Sequence, residues 1–459
     1  MDYTSGRPRR GIVGDTYALT SDAELSTVLD ASSAWAKTWA TSTIERRVSF
    51  CRKAAEALKS NRDALAELAS IEMGKRLDES LSEVDKCASL CNYYADHLAE
   101  FLSPSRVVDP NAFISIHERP LGIILGVMPW NFPYWQATRF AIPAIAAGNL
   151  AVLKHAPNVP ACAEAFAKTL EVAAEGDPLI TNVRLTNEQV AGLIADDRIA
   201  GVSLTGSTGA GRVVAAAAGK ALKPSVLELG GSDPYLILAD ADIDLAVAAC
   251  FAGRLLNAGQ SCISAKRLIV DQSIVEAFTA AIKAKTDQLR FLTDDPSMDH
   301  PLGLAPMARA DLRDHLHAQV TESLAQGATC VLGGDLPNTE GYFYPATILA
   351  EVAPGMAAFD EELFGPVIVI CPARDTEHAI ALANNSKYGL GAAVFSKDLL
   401  LAEEIASARL EAGACFVNTY VRSDQRLPFG GVKQSGYGRE LAREGLLAFT
   451  NTKVVWVEG

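Results

Sequence analysis

Cys262 closes the segment Gly259-Gln-Ser-Cys262, where a glycine-containing turn can expose a thiol to attack. Glu228 ends Val-Leu-Glu228 and precedes Leu229-Gly-Gly231. Asn131 lies in Pro129-Trp-Asn-Phe-Pro133, a turn bounded by two prolines. Each has an ordinary alternative: a buried small hydrophobe for Cys262, a salt-bridged strand-end acid for Glu228, a turn asparagine for Asn131. Taken together the three types make one device. A thiolate attacks a carbonyl carbon, a side-chain amide donates to the oxyanion, and a carboxylate takes a proton from water. No histidine is close enough in sequence to suggest a Cys–His pair.

These groups need elements to hold them. The first hundred residues read as helices, with a capping box at Ser21 and Glu24 and apolar residues at helical spacing up to Gly74. A further helix is expected over residues 78–101. Residues 113–117 and 453–457 alternate like two strands of a small sheet that buries its edges against another subunit. From residue 121 onward short apolar runs alternate with helices: strands at 121–127, 150–153 and 201–204, helices near 134–147 and 161–175. The alternation resumes after 235–238 and continues to Gly389. The fold class is therefore α/β, with two parallel-sheet units in series.

Composition narrows the partners. The 459 residues hold 49% apolar and 21% charged side chains, and 41 basic against 55 acidic residues leave a net charge of −14. A chain this acidic is poorly suited to nucleic acid or an anionic membrane. No apolar run approaches the roughly 20 residues of a membrane span. Arg7, Arg9 and Arg10 are followed by no apolar stretch, so no signal peptide is expected. Nine scattered cysteines suggest neither a disulfide framework nor a zinc site. No metal is expected, and the setting reads as reducing and cytoplasmic.

Six motifs run in one order: Pro129-Trp-Asn-Phe-Pro133, Leu204-Thr-Gly-Ser-Thr208, Glu228-Leu-Gly-Gly231, Gly259-Gln-Ser-Cys262, Glu362-Leu-Phe-Gly-Pro366 and Pro428-Phe-Gly-Gly-Val-Lys-Gln-Ser-Gly436. In this the chain resembles the aldehyde dehydrogenase superfamily along essentially its whole length. The resemblance implies a dinucleotide-binding domain (residues 1–107 and 122–229), a catalytic domain (230–427) and an oligomerisation element (108–121 and 440–459). It also implies a homodimer or homotetramer. Cys262 matches the nucleophile, Glu228 the base that activates water, and Asn131 with the Cys262 N–H the oxyanion hole.

On the cofactor side there is no G-x-G-x-x-G. Gly206-Ser-Thr-Gly-Ala-Gly211 opens an expected helix, and glycines with a hydroxyl at a helix N-terminus suit a phosphate. A plain βα turn is the alternative. By resemblance, Gly206 and Ser207 bind the dinucleotide, Glu362 and Phe364 hold the nicotinamide ribose, and Trp130, Lys154 and Leu229 make other contacts. Pro157 stands where a carboxylate would repel a 2′-phosphate, so both NAD and NADP are expected.

The substrate is expected to be a small aldehyde. Arg139, at helical spacing from Trp135, resembles the arginine with which succinate-semialdehyde dehydrogenases bind the distal carboxylate; a surface or ion-paired arginine is the alternative. Lys154-His-Ala-Pro157, Gly230-Gly-Ser-Asp-Pro234 and Ala308-Arg-Ala-Asp-Leu-Arg313 resemble one bacterial branch of that group. Two positions depart from the group. Leu256 stands where some members carry a second arginine, and Ser264 where some carry a regulatory cysteine. Arg422, Ser423 and Arg426 precede Pro428, and either arginine could supply the second charge. The expected reaction is oxidation of succinate semialdehyde with hydrolysis of a thioester. The alternatives are hydrolytic oxidation of glutarate semialdehyde or of uncharged aldehydes, a CoA-acylating enzyme, which Glu228 disfavours, and a non-catalytic protein on the same scaffold.

Overall fold

The computed structural model describes residues 3–458. Four helices, Asp22–Ala40, Ile44–Ser60, Arg62–Met73 and Leu77–Phe101, form the N-terminal layer. Ser21 and Glu24 close the expected capping box, and the third helix stops at Gly74. The reading of an all-helical N-terminus needs correction. Tyr3–Arg7 and Ile12–Tyr17 pair as an antiparallel hairpin. Its first strand docks on distant chain, with the Thr4 and Gly6 N–H groups donating to the carbonyls of Pro157 and Asn158. Those partners lie far along the sequence and leave no local periodicity.

The first large sheet runs in the order Gly436–Tyr437, Ser225–Glu228, Ile199–Thr205, Ile123–Val127, Leu150–Lys154, Ile180–Val183. All neighbours are parallel except Gly436–Tyr437. Strand order reverses beside Ile123–Val127, so a crevice opens at the carboxyl ends of that strand and Ile199–Thr205, where such sheets bind ligands. The second sheet has seven strands, from Thr329–Leu332 to Ala414–Val417, with Ala265–Asp271 and Asp233–Ile237 at its centre. Both of its faces are covered. Leu236, Ile269, Val369 and Val394 pack into one core, and Tyr235, Leu268, Ile370 and Phe395 into the other. The apolar runs seen in the sequence are these doubly buried strands.

Between the first sheet and the helical layer lies helix Pro133–Ala146, every residue of which is buried. Proline suits its first position. The first-turn N–H groups of Tyr134 and Trp135, which no helical carbonyl can reach, donate to Glu83 Oε1 at 2.8 and 2.9 Å. A buried acid thus caps this helix, and Lys75 pairs with the same carboxylate. Thr450–Glu458 pairs antiparallel with Ala112–Pro120, placing Val457 opposite Phe113 and Lys453 opposite His117 as the alternation predicts. Ser105–Val108 adds a third strand that the sequence did not announce.

Candidate active site

Cys262 sits between a tight turn and strand Ala265–Asp271. In that turn Asn257, Ala258 and Gly259 all have positive φ (56°, 52° and 74°). For Asn257 and Ala258 the left-handed conformation is costly and persists only where surroundings enforce it. Here the Asn257 side chain donates to the carbonyls of Asn131 (2.8 Å) and Gln260 (3.2 Å). Gln260 donates to Asn257 and Pro306 and accepts from the Ala308 N–H. The glutamine of Gly259-Gln-Ser-Cys262 is therefore a stitch holding the loop.

Asn131 follows strand Ile123–Val127 and is buried, its Nδ2 donating to Gln260 O at 3.1 Å. The oxyanion candidate and the thiol loop are thus joined directly. Lys266 Nζ donates to the carbonyls of Ser261 and Cys262 and pairs with Glu362 Oε1 at 2.9 Å. Cys262 is half-buried. Burial pushes its thiol up to about 12; Arg139 and Lys266 pull it down, and Glu228 and Glu362 push it further up.

Glu228 ends its strand fully buried, and neither carboxylate oxygen has a hydrogen-bond partner among the described residues. Burial, reinforced by the charge of Glu440, raises it to about 8; the charges of Arg139 and Arg439 oppose the shift. An uncommitted, poorly solvated carboxyl beside a thiol is suited to taking a proton near neutral pH.

A cavity of about 220 Å³ reaches Cys262. Trp135, Arg139, Leu256, Tyr420, Arg422, Ser423 and Phe429 line it, as do Glu79, Glu83 and Lys86 from helix Leu77–Phe101. Arg139 is buried and pairs through Nε with Glu440 at 2.7 Å, its guanidinium 4.6 Å from the Phe429 ring. Breaking such a buried pair costs about 3–5 kcal/mol, far more than an exposed pair. Ser423 is buried and accepts from Lys86 Nζ. Arg422 is exposed at the rim. Arg426 does not line the cavity; its fork is committed to Asp424. Ser264 is bonded to Arg254.

The cofactor candidates gather elsewhere, at the strand ends of the first sheet. A side chain built on Gly206 would meet nothing within 4 Å. Ser207 caps helix Thr208–Lys220. Lys154 is buried beside Tyr3 with no carboxylate partner among the described residues, and burial alone pulls it down to about 8. Open space, a helix N-terminus and an unpaired buried cation fit a dinucleotide phosphate. Pro157 is exposed, its carbonyl accepting from Thr4. Leu229 packs on Gly211. Trp130 and Phe364 meet edge to face at 5.8 Å, with Lys266 Nζ 5.6 Å from the Phe364 ring.

A family model described as the aldehyde dehydrogenase family matches residues 3–455. The chain belongs to the aldehyde dehydrogenase family. Among its relatives, a succinate semialdehyde dehydrogenase [NAD(P)+] of Escherichia coli strain K12 is 45% identical over 94% of this chain and 93% of that protein. A succinate-semialdehyde dehydrogenase [NADP(+)] of Deinococcus radiodurans is 40% identical over 99% and 94%. The crystal structure of succinic semialdehyde dehydrogenase from Streptococcus pyogenes in complex with NADP+ superposes with a TM-score of 0.96, at 36% identity over 100% of both chains. In this aldehyde dehydrogenase four groups escape sequence reading: Glu83, Lys86, Lys266 and Glu440. Glu83, Lys86 and Lys266 lie in ordinary helix or strand patterns where a charge reads as a solvated face, and Glu440 lies in a loop bridged to Phe429. For Glu83 one signal existed, an acid flanked by Val84, Cys87 and Ala88 on a buried stripe.

Proposed function

We propose that this chain oxidises succinate semialdehyde to succinate with NAD(P)+. The observation that carries the reading is a cavity with the Cys262 thiol on its wall and cationic side chains around it. Cys262 yields its proton to the Glu228 carboxylate, which passes it to solvent before the hydrolytic step, and the thiolate sulfur attacks the aldehyde carbon. The oxyanion takes hydrogen bonds from Asn131 Nδ2 and the Cys262 N–H. The nicotinamide, when bound, supplies the acceptor for the hydride that leaves the carbon. The thioester that remains is hydrolysed as Glu228 takes a proton from water and the resulting hydroxide displaces the sulfur. Lys154, Gly206, Ser207, Trp130, Leu229, Glu362 and Phe364 would hold the dinucleotide. Trp135, Arg139, Arg422 and Ser423 line the path of the substrate chain.

Support for both cofactors comes from Pro157, which places no carboxylate near Lys154, and from the relatives' printed cofactors. A homo-oligomer joined through the three-stranded sheet is part of the reading, and nine free thiols suit a reducing cytoplasm. Steady-state rates with succinate semialdehyde and with hexanal, each with NAD and NADP, test it. The acid aldehyde should show a kcat/KM at least about tenfold higher, the worth of one charged hydrogen bond. Equal values would favour an uncharged aldehyde, which a neutralised Arg139–Glu440 pair and apolar walls would also accept.

A further inference from the structure

Strand Ala265–Asp271 opens with two buried cations on opposite faces, Lys266 and Arg267. The Arg267 fork is spent on the carbonyls of Ser232, Leu382 and Ala383, a structural task. Lys266 turns toward the thiol. Its three N–H donors all have acceptors: Ser261 O at 3.0 Å, Cys262 O at 2.8 Å and Glu362 Oε1 at 2.9 Å. A buried ammonium is costly unless every donor is bonded, so two successive carbonyls of the thiol loop are gathered onto one point. The Ser261 carbonyl is one end of a planar peptide group whose other end is the Cys262 N–H. Among the described residues no peptide bond is cis, and in a trans peptide the two ends point in opposite directions. The bond at the Ser261 oxygen therefore sets where the Cys262 N–H points, and the cation polarises the group so that this N–H donates more strongly.

We propose that Lys266 is the positioning residue of the oxyanion hole: by clamping the Ser261 and Cys262 carbonyls against Glu362, it aims the Cys262 N–H and ties the sulfur's loop to the cofactor side. The inference rests on the proposed attack by Cys262 and adds a residue to it. The ammonium also offsets the Glu362 charge beside the thiol. Burial holds that thiol high; against it Arg139 and Lys266 pull down, while Glu228 and Glu362 push further up. Asp233 is near enough to Lys266 for its own carboxyl to feel the charge. Asp78, Glu79, Glu83, Lys86 and Arg422 share the cavity wall with Cys262. All these groups stay in place when Lys266 or Glu362 is changed, so differences between such variants report on this pair.

Two measurements on Lys266→Met, Glu362→Gln and the double variant test this. The first is the rate at which iodoacetamide alkylates Cys262 at pH 8 in the cofactor-free protein, read by mass spectrometry on the peptide that carries it. Losing the ammonium should slow alkylation about tenfold, because less of the sulfur is thiolate. Losing the carboxylate should speed it, and the double variant should return near wild type. The second is kcat for succinate semialdehyde at saturating NADP+. The double variant should fall at least about tenfold below Glu362→Gln alone, with KM for the aldehyde little changed, since the N–H acts in the transition state. With both charges gone no buried ion is stranded, so the double variant keeps the comparison open if Lys266→Met folds poorly. Equal kcat in the double variant and Glu362→Gln would overturn the proposal, as would faster alkylation in Lys266→Met, the mark of a loop merely loosened. A wild type that still oxidises the aldehyde after Cys262 is alkylated would overturn the nucleophile reading instead.

Discussion

Glu228 is a carboxyl that the folded protein keeps mostly protonated at neutral pH, because burial and Glu440 outweigh the pull of Arg139. Hydrolysis needs its carboxylate. Turnover should therefore climb with pH through about 8 in wild type, and Glu228→Gln should lose that climb along with about 10²- to 10⁴-fold in the hydrolytic step. The sign for stability is opposite. The folded value lies above the unfolded one, so folding favours the proton, and stability is lost as pH rises from the ordinary carboxylate range through about 8. Glutamine mimics the neutral acid, so the variant should melt higher than wild type at pH 9 and converge with it near pH 4; melting curves across that range check this. Cys262, Asn131 and Glu228 were legible because glycine and proline frame them, and such residues mark turns whatever surrounds them. Lys86, Lys266 and the Arg139–Glu440 pair were not. Their meaning depends on which distant element the fold sets opposite them, and no spacing along the chain encodes that.

At the scale of elements, the thiol is aimed by a turn wound the wrong way. Asn257 and Ala258 each bear roughly 1–2 kcal/mol of left-handed strain, which their hydrogen bonds and burial must offset. Gly259 escapes that strain, and it also lets the loop approach Gly365: an added Cβ would lie 2.2 Å from the Gly365 carbonyl oxygen. Gly259→Ala should thus push the loop off the segment that carries Glu362 and Phe364. We expect a loss of at least about tenfold in kcat, since misplacing a reacting group by an ångström costs more than that, together with a lower melting temperature. Unchanged kinetics would show that the loop is not what positions Cys262. The alternation of apolar runs and helices told of both sheets, since strands buried on two faces read as continuous hydrophobic runs. The N-terminal hairpin and strand Ser105–Val108 were invisible for a different reason. One is pinned by backbone bonds to Pro157 and Asn158 and the other is exposed throughout, so neither carries a strong apolar pattern.

At the scale of the molecule, the three-stranded sheet is the feature a lone chain leaves unresolved. Thr450–Glu458 is an outer strand of nine residues, paired along one side only. Val454 and Trp456 are largely exposed, and on the opposite face Val457, Phe113 and Val108 form a cross-strand apolar row that is also exposed. Chains with long open edges that expose apolar side chains tend to associate through them. A second copy of the chain is the proposed cover, and a stable interface would need to bury about 1,200–2,000 Å² in total. Placing charges in it is costly only if it forms. The double variant Val454→Asp, Trp456→Asp should therefore run at the mass of one chain in light scattering coupled to gel filtration, where wild type runs at a multiple. Since both residues are exposed in the single chain, the variant's near-native circular dichroism should persist. A wild type that already runs as one chain would remove the interface from the reading while leaving the site at Cys262 untouched.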